Sequence, residues 1–215
     1  MKKITLLFSA LIVACAMNAQ TIVFHEDFET ADSVASSGSP TWGQEGVLQV
    51  SGSFSYRNQV ATSTASYLTT NAFSTIGNSF VLLDFEQICK IEFNDAGTVE
   101  VSNDNGTTWT QLTANEYLGV AAFATMGNRF ASNSYSGAWV PGNNSAVPNN
   151  TWWWHEQFDI SSLVSNAAQV KVRFKLSDIN NNGSNSNYGW ILDDVIVTAS
   201  PSELNPPVII QLNPI

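Results

Sequence analysis

Acidic side chains cluster in the first and last of the expected strands: Glu26, Asp27 and Glu29 lie in or just after the first, and Asp193 and Asp194 lie in the last. Glu26 and Asp193 share parity with apolar neighbours, so both face a core, where an unpaired carboxylate is costly. Lys and Arg number only 8 against 18 Asp and Glu. A bound Ca²⁺, held by carboxylate and carbonyl oxygens, is therefore one candidate partner for Glu26, Glu29, Asp193 and Asp194. Backbone N–H groups at strand ends are the other. Asp178-x-Asn180-x-Asn182-Gly183 opens like an EF-hand loop, but its twelfth position is Gly189 instead of Glu. It reads as an Asn-rich turn.

Aromatic residues form the second candidate set. Trp152, Trp153 and Trp154 are consecutive, and strand alternation places Trp152 and Trp154 on one face and Trp153 on the other. At least one indole of that run then lies near the surface, where it can stack on a sugar ring or anchor a protein; burial of two with one on the rim is the competing reading. Trp139, in a long loop, is a further binding candidate. Ser102-x-Asp104-x-Gly106-x-Thr108-Trp109 has the form of an Asp-box hairpin. It predicts a turn in which Asp104 accepts backbone N–H bonds, Gly106 takes a positive φ and Trp109 tucks into the core. His25 and His155 are the only imidazoles, and no Gly-x-Ser-x-Gly, His-Glu-x-x-His or phosphate-cradling loop is present. No catalytic residue is singled out, and a non-enzyme is expected.

The elements that must carry these residues have a period of two. Strands are expected near 22–28, 47–56, 66–73, 80–93, 99–101, 109–112, 169–176 and 188–198, with at most a turn or two of helix over 160–167. In the 80–93 run, Val81, Leu83, Phe85, Cys89, Ile91 and Phe93 share a face, while Asp84, Glu86, Lys90 and Glu92 face water. In the 169–176 run, Val170, Val172, Phe174 and Leu176 point inward and Lys171, Arg173 and Lys175 outward. Cys89 reads as a small buried hydrophobe. About eight short strands with Asn, Gly and Ser turns predict an all-β fold built as a two-sheet antiparallel β-sandwich or a barrel. Residues 113–150 are too long for an ordinary connection. They form either a binding loop or an ordered insertion over one end of the sandwich.

Charged residues make up only 12% of the 215, about half the usual share, while Asn, Ser and Thr supply 64. Hydrophobic residues at 44%, with 12 Phe and 7 Trp, suffice for a core. The net charge of −10 argues against a nucleic-acid backbone as partner. Lys2 and Lys3 precede an 11-residue apolar stretch, too short to span a bilayer, for which about 20 residues are needed. Small residues follow. This reads as a bacterial-style secretory signal peptide over residues 1–19, and export is expected. Ile12-Val13-Ala14-Cys15 also fits a lipobox, which would acylate Cys15. Residues 20–199 form the domain. The Pro-rich residues 200–215 read as a linker, with Val208-Ile209-Ile210 resembling the opening of a further β domain.

Phe24-His25-Glu26-Asp27-Phe28-Glu29 followed by Trp42, Tyr67-Leu68-Thr69-Thr70, Val99 into the Asp-box, Trp154 through Phe158-Asp159-Ile160-Ser161, Val170 to Phe174, and Gly189-Trp190-Ile191-Leu192-Asp193-Asp194-Val195 follow one another in this order. Together they resemble the MAM-like and cleaved-adhesin jelly-roll modules of secreted bacterial surface proteins. The MAM cysteines are missing, so the likeness is to the bacterial relatives. The resemblance implies a jelly roll, Ca²⁺ near the first and last strands with Glu29 and Asp193 as ligands and Glu26 next, and binding without catalysis. The expected function is adhesion or protein interaction at a bacterial surface, with an extracellular protein or a glycan as partner. The alternatives are a carbohydrate-binding module and an accessory domain of an extracellular protease or glycoside hydrolase.

Overall fold

The computed structural model describes residues 20–59, 61, 64–143, 145–179 and 188–202. The expected leader over residues 1–19, the lipobox expected at Cys15, most of the Asn-rich turn expected after Asp178 and the chain beyond 202 lie outside the described residues. The strands are β1 (Thr21–Glu26), β2 (Val34–Gly38), β3 (Gly43–Glu45), β4 (Ser55–Asn58), β5 (Ala65–Thr70), β6 (Phe80–Lys90), β7 (Asp95–Ser102), β8 (Thr110–Gln111), β9 (Trp154–Asp159), β10 (Lys171–Asp178) and β11 (Gly189–Ser200). They form two sheets, in which every strand pair is antiparallel. The first has the order β3-β4-β11-β6-β9 with β1 also on β11, and the second β2-β5-β10-β7-β8. This is a two-sheet jelly-roll β-sandwich. The helical content described is one turn, α1 (Ser161–Val164), and a 3₁₀ turn at Ser132–Tyr135.

Alternating burial shows why these runs pair as they do. In β6, Val81, Leu83 and Phe85 are buried while Leu82, Asp84 and Glu86 are half-exposed; in β10, Val172, Phe174 and Leu176 are buried between Lys171, Arg173 and Lys175. The inner faces meet in an aromatic core. Phe85 lies edge-on to Phe174 at 5.0 Å, and Phe174 lies edge-on to Trp190 at 5.8 Å. Each fully buried aromatic side chain contributes about 1.5–3 kcal/mol of apolar burial. Gly97 is required there, because a Cβ would sit 2.9 Å from the Trp190 ring.

Four details depart from the alternation pattern. Of the expected 47–56 strand only Ser55 and Tyr56 are extended, as the start of β4; residues 47–54 are a loop between β3 and β4, and Val47 is 72% exposed. A register shift between Ile22 and Phe24 turns Ile22 outward. Phe93 lies beyond the end of β6 and is exposed. Lys90, at a water-facing position by parity, is buried: its Nζ donates to the carbonyls of Trp139 at 2.8 Å and Val140 at 2.7 Å.

Those carbonyls belong to residues 113–150, an ordered insertion that packs into the core. Phe123, Phe130 and Trp139 are fully buried, and Phe130 forms a bridge with Gly97 of β7.

Candidate functional site

The edge of β11 changes partner at Asp193. β4 pairs with β11 along Trp190–Leu192 and β1 along Val195–Ala199, and the register on β6 slips between Asp193 and Ile196. Such a bulge interrupts the ladder and leaves backbone groups in need of other partners. The acidic residues supply them. Asp193 Oδ2 accepts from the Val50 N–H at 2.7 Å and the Ser51 N–H at 3.3 Å, and its Oδ1 accepts from the Asp194 N–H at 2.9 Å. Ser51 Oγ donates to Asp194 Oδ1 at 2.9 Å. Glu29 Oε1 accepts from the Ser53 and Phe54 N–H groups at 2.7 and 2.8 Å. The two oxygens of Glu26 accept from the Phe28 and Ser33 N–H groups at 2.7 and 2.9 Å. Gly52 lets the loop pass Glu29, whose Oε1 would lie 2.3 Å from a Cβ there.

The structure therefore gives the four expected metal ligands another use. Glu29, Asp193 and Asp194 grip the loop between β3 and β4, and Glu26 holds the turn after β1. Among the described residues no three His, Cys, Asp or Glu side chains group so as to hold a metal ion. Burial pushes the Asp193 carboxyl up to about 6, against the pull of its N–H donors.

A second carboxylate, which sequence reasoning missed, organises the opposite edge of this sheet. Glu156 of β9 is fully buried and accepts from Tyr117 Oη at 2.6 Å, Gln87 Nε2 at 2.8 Å and Tyr135 Oη at 2.9 Å. Gln87 in turn accepts from Trp190 Nε1 at 2.7 Å. Burial raises the Glu156 pKa and also those of Tyr117 and Tyr135, whose proximity to Glu156 adds to the shift. Two tyrosines of the insertion are thus tied to the sandwich through one carboxylate. The signal was available: Glu156 shares parity with Phe158, as Glu26 does with Phe24.

The tryptophans divide by depth. Trp139 is fully buried, and its Nε1 donates to the Trp152 carbonyl at 2.8 Å, so it anchors the insertion and is no surface binder. Trp152 and Trp153 are half-buried against the core and precede β9, and Trp153 Nε1 donates to Asn150 Oδ1 at 3.3 Å. Trp154 opens β9, is 36% exposed, and stacks on Tyr135 at 4.2 Å and 9°. The indole of Trp154 thus has a fixed, hydrogen-bonded ring behind it.

The Asp-box hairpin forms as its sequence predicts, apart from Trp109. Asp104 accepts from the Thr108 N–H at 2.9 Å, Thr108 Oγ1 at 2.6 Å and Ser102 Oγ at 2.6 Å, and Gly106 has φ +88°. The Ser102 and Thr108 donors hold this exposed carboxyl at about 2. Trp109 does not enter the core. It is half-buried against Arg173, 4.1 Å from its guanidinium, because the hairpin leaves the sheet with Trp109 on the solvent side.

His25 and His155 are exposed, on β1 and β9. His155 Nδ1 is 3.0 Å from Glu86 Oε1 and its Nε2 3.1 Å from Asp84 Oδ1. A neutral imidazole donates from one nitrogen only, so both contacts are hydrogen bonds only in the imidazolium form. With both nitrogens taken by carboxylates, neither is left to activate a hydroxyl.

Residues 46–198 match Reelin subrepeat B. The chain belongs to that family. The Reelin subrepeat B match supports the sandwich module without extending to the MAM-like or cleaved-adhesin assignment. No curated protein matches significantly. Solved structures similar in outline include the following. The CBM22-1 xylan-binding domain from Paenibacillus barcinonensis Xyn10C has a TM-score of 0.48 at 11% identity, covering 86% of this chain and 97% of that one. TmCBM61 in complex with beta-1,4-galactotriose has a TM-score of 0.44 at 10% identity, covering 78% and 88%. CBM35 from Paenibacillus barcinonensis has a TM-score of 0.42 at 14% identity, covering 85% and 99%. Likeness at this level says nothing about what the Reelin subrepeat B chain binds.

Proposed function

We propose that the chain is a secreted, non-catalytic binding module that takes a glycan at the Trp154 corner. The observation behind this reading is the stack of Trp154 on Tyr135: a 36% exposed indole backed by a ring that is itself bonded to buried Glu156. Sugar rings stack on such faces with little ordering cost, because the platform is already fixed. The carboxylates support a non-catalytic reading, since those of Glu26, Glu29, Asp193 and Glu156 are occupied as structural acceptors. For location, the leader pattern favours export, and among the described residues no helix is long and apolar enough to cross a membrane.

A glycan array with the wild type and Trp154→Ala tests the reading. Binding by the wild type that falls at least about tenfold in the variant is expected, as for the loss of an aromatic contact worth over 1 kcal/mol. No glycan bound by the wild type would end it.

One observation favours a protein partner as the second reading. The carboxylate-held loop presents Val47, Val50 and Phe54 to solvent. On that reading Val47→Ser with Phe54→Ser abolishes adhesion to host or matrix protein and leaves the glycan array unchanged; unaltered adhesion would count against it.

A further inference from the structure

The outer face of the second sheet carries a concentration of positive charge in an acidic chain. Beyond residue 19 the sequence has six Lys and Arg against 18 Asp and Glu. Three of the six, Lys171, Arg173 and Lys175, alternate along β10 on the side opposite buried Val172, Phe174 and Leu176. β10 is the central strand of its sheet.

The other three are committed elsewhere: Arg57 to Glu45, Lys90 to two carbonyls and Arg129 to the Phe93 carbonyl.

On the face itself, among the described residues, only Arg173 has a counter-ion, Glu100 of β7, which stands opposite it in register. Its guanidinium lies between two rings, 4.1 Å from Trp109 and 4.8 Å from Tyr67. Among the described residues neither Lys171 nor Lys175 takes part in a salt bridge. The two ammonium groups therefore flank a rigid Trp109–Arg173–Tyr67 stack, on positions about 13 Å apart along the strand.

We propose that this face binds an extended anionic polysaccharide, one bearing uronate or sulfate groups, laid along β10. Charge complementarity supplies the anion: two unpaired ammonium groups remain after Glu100 has neutralised Arg173. Two cations set along one strand, with rings between them, suit an extended partner of repeated charge better than a single small anion. The rings beside them provide the apolar contact that sugar C–H faces use and that a purely electrostatic partner does not need. The proposal takes from the glycan reading only the nature of the polymer. Its residues are distinct from Trp154, so the two stand or fall separately.

The test uses the full chain after leader removal, with immobilised polygalacturonate as probe, and neutral dextran and poly-L-glutamate as controls. The wild type is expected to bind polygalacturonate at 50 mM NaCl and to lose at least about tenfold in affinity at 500 mM. Lys171→Glu with Lys175→Glu is expected to abolish binding, and Lys171→Gln with Lys175→Gln to weaken it at least about fivefold with an unchanged melting temperature. The Gln pair also answers the question if the Glu pair fails to fold. Trp154→Ala is expected to bind polygalacturonate as the wild type does, even if it has lost its array ligands.

Any of three results overturns the proposal. The Gln pair binds as tightly as the wild type; poly-L-glutamate binds as tightly as polygalacturonate, which would make the face a protein site; or sedimentation shows wild-type oligomers that the Gln pair dissolves, which would give the face to a second copy.

Discussion

Asp104 and Asp193 are the same residue type, and each accepts several hydrogen bonds, yet their acidities move in opposite directions. Asp104, on an exposed hairpin, is held at about 2 by Ser102 and Thr108. Asp193, buried where β11 changes partner, is pushed up to about 6 by burial despite three backbone donors. Hydrogen bonds to a carboxylate lower its pKa and lost water raises it. At Asp104 the donors win because water still reaches the group; at Asp193 the lost water wins. A hydrogen-bond count alone therefore does not tell which of two carboxylates stabilises the fold as an anion.

The largest test of that contrast is Asp193→Ala. It removes the acceptor of the Val50, Ser51 and Asp194 N–H groups at a part-buried site, and a loss of about 2–4 kcal/mol in urea unfolding at pH 7 is expected. A loss below about 1 kcal/mol would mean that the loop finds water instead.

Next comes pH. A carboxyl raised in the folded state binds more protons there than in the unfolded chain, so stability falls as pH rises through the window between the two values. For Asp193, and for Asp95, which burial also raises to about 6, that window runs from about 3.8 to about 6. Unfolding free energy is expected to increase on the order of 1–2 kcal/mol between pH 7 and pH 4.5. Asp193→Asn is expected to shallow the slope, and an unchanged slope in that variant would remove Asp193 as its source.

Asp104 has the opposite sign. Its contribution is present above the unfolded value and is lost as pH falls toward about 2. Asp104→Ala is expected to lower the melting temperature less than Asp193→Ala does and to leave the slope between pH 4.5 and 7 intact; a change in that slope would contradict the assignment. The smallest expected effect is that of calcium. With the carboxylates engaged by backbone N–H, melts in calcium and in chelator should coincide. A rise with calcium that Asp193→Ala removes would assign these residues to a metal instead.

Much of the fold was legible because its causes are local. Alternation in β6 and β10 set which side chains face the core, and the Ser102–Trp109 run specified its own turn through contacts four residues long or less. Parity also marked Glu26 and Asp193 as buried carboxylates in need of partners. Glu26 finds its donors within seven residues, at Phe28 and Ser33; parity could not say that Asp193 and Glu29 would hold N–H groups of the loop between β3 and β4, about 140 residues from Asp193 and 24 or more from Glu29. Trp139 and Trp154 look alike in sequence. One is buried and the other exposed because the 113–150 insertion folds over the sandwich edge, carrying Trp139 inward and Tyr135 beneath Trp154.

By itself, the sequence determined the layered β architecture, the hairpin at Asp104 and the outward row Lys171, Arg173, Lys175, since each follows from side-chain alternation or from bonds within one turn. Only the tertiary structure decided that Lys90 would be buried, that Glu156 would be held by two tyrosines of the insertion, that Trp109 would lie on Arg173, and that acidic residues would hold a loop. Those outcomes depend on which distant segments come to cover a given surface, and hence on where water is excluded.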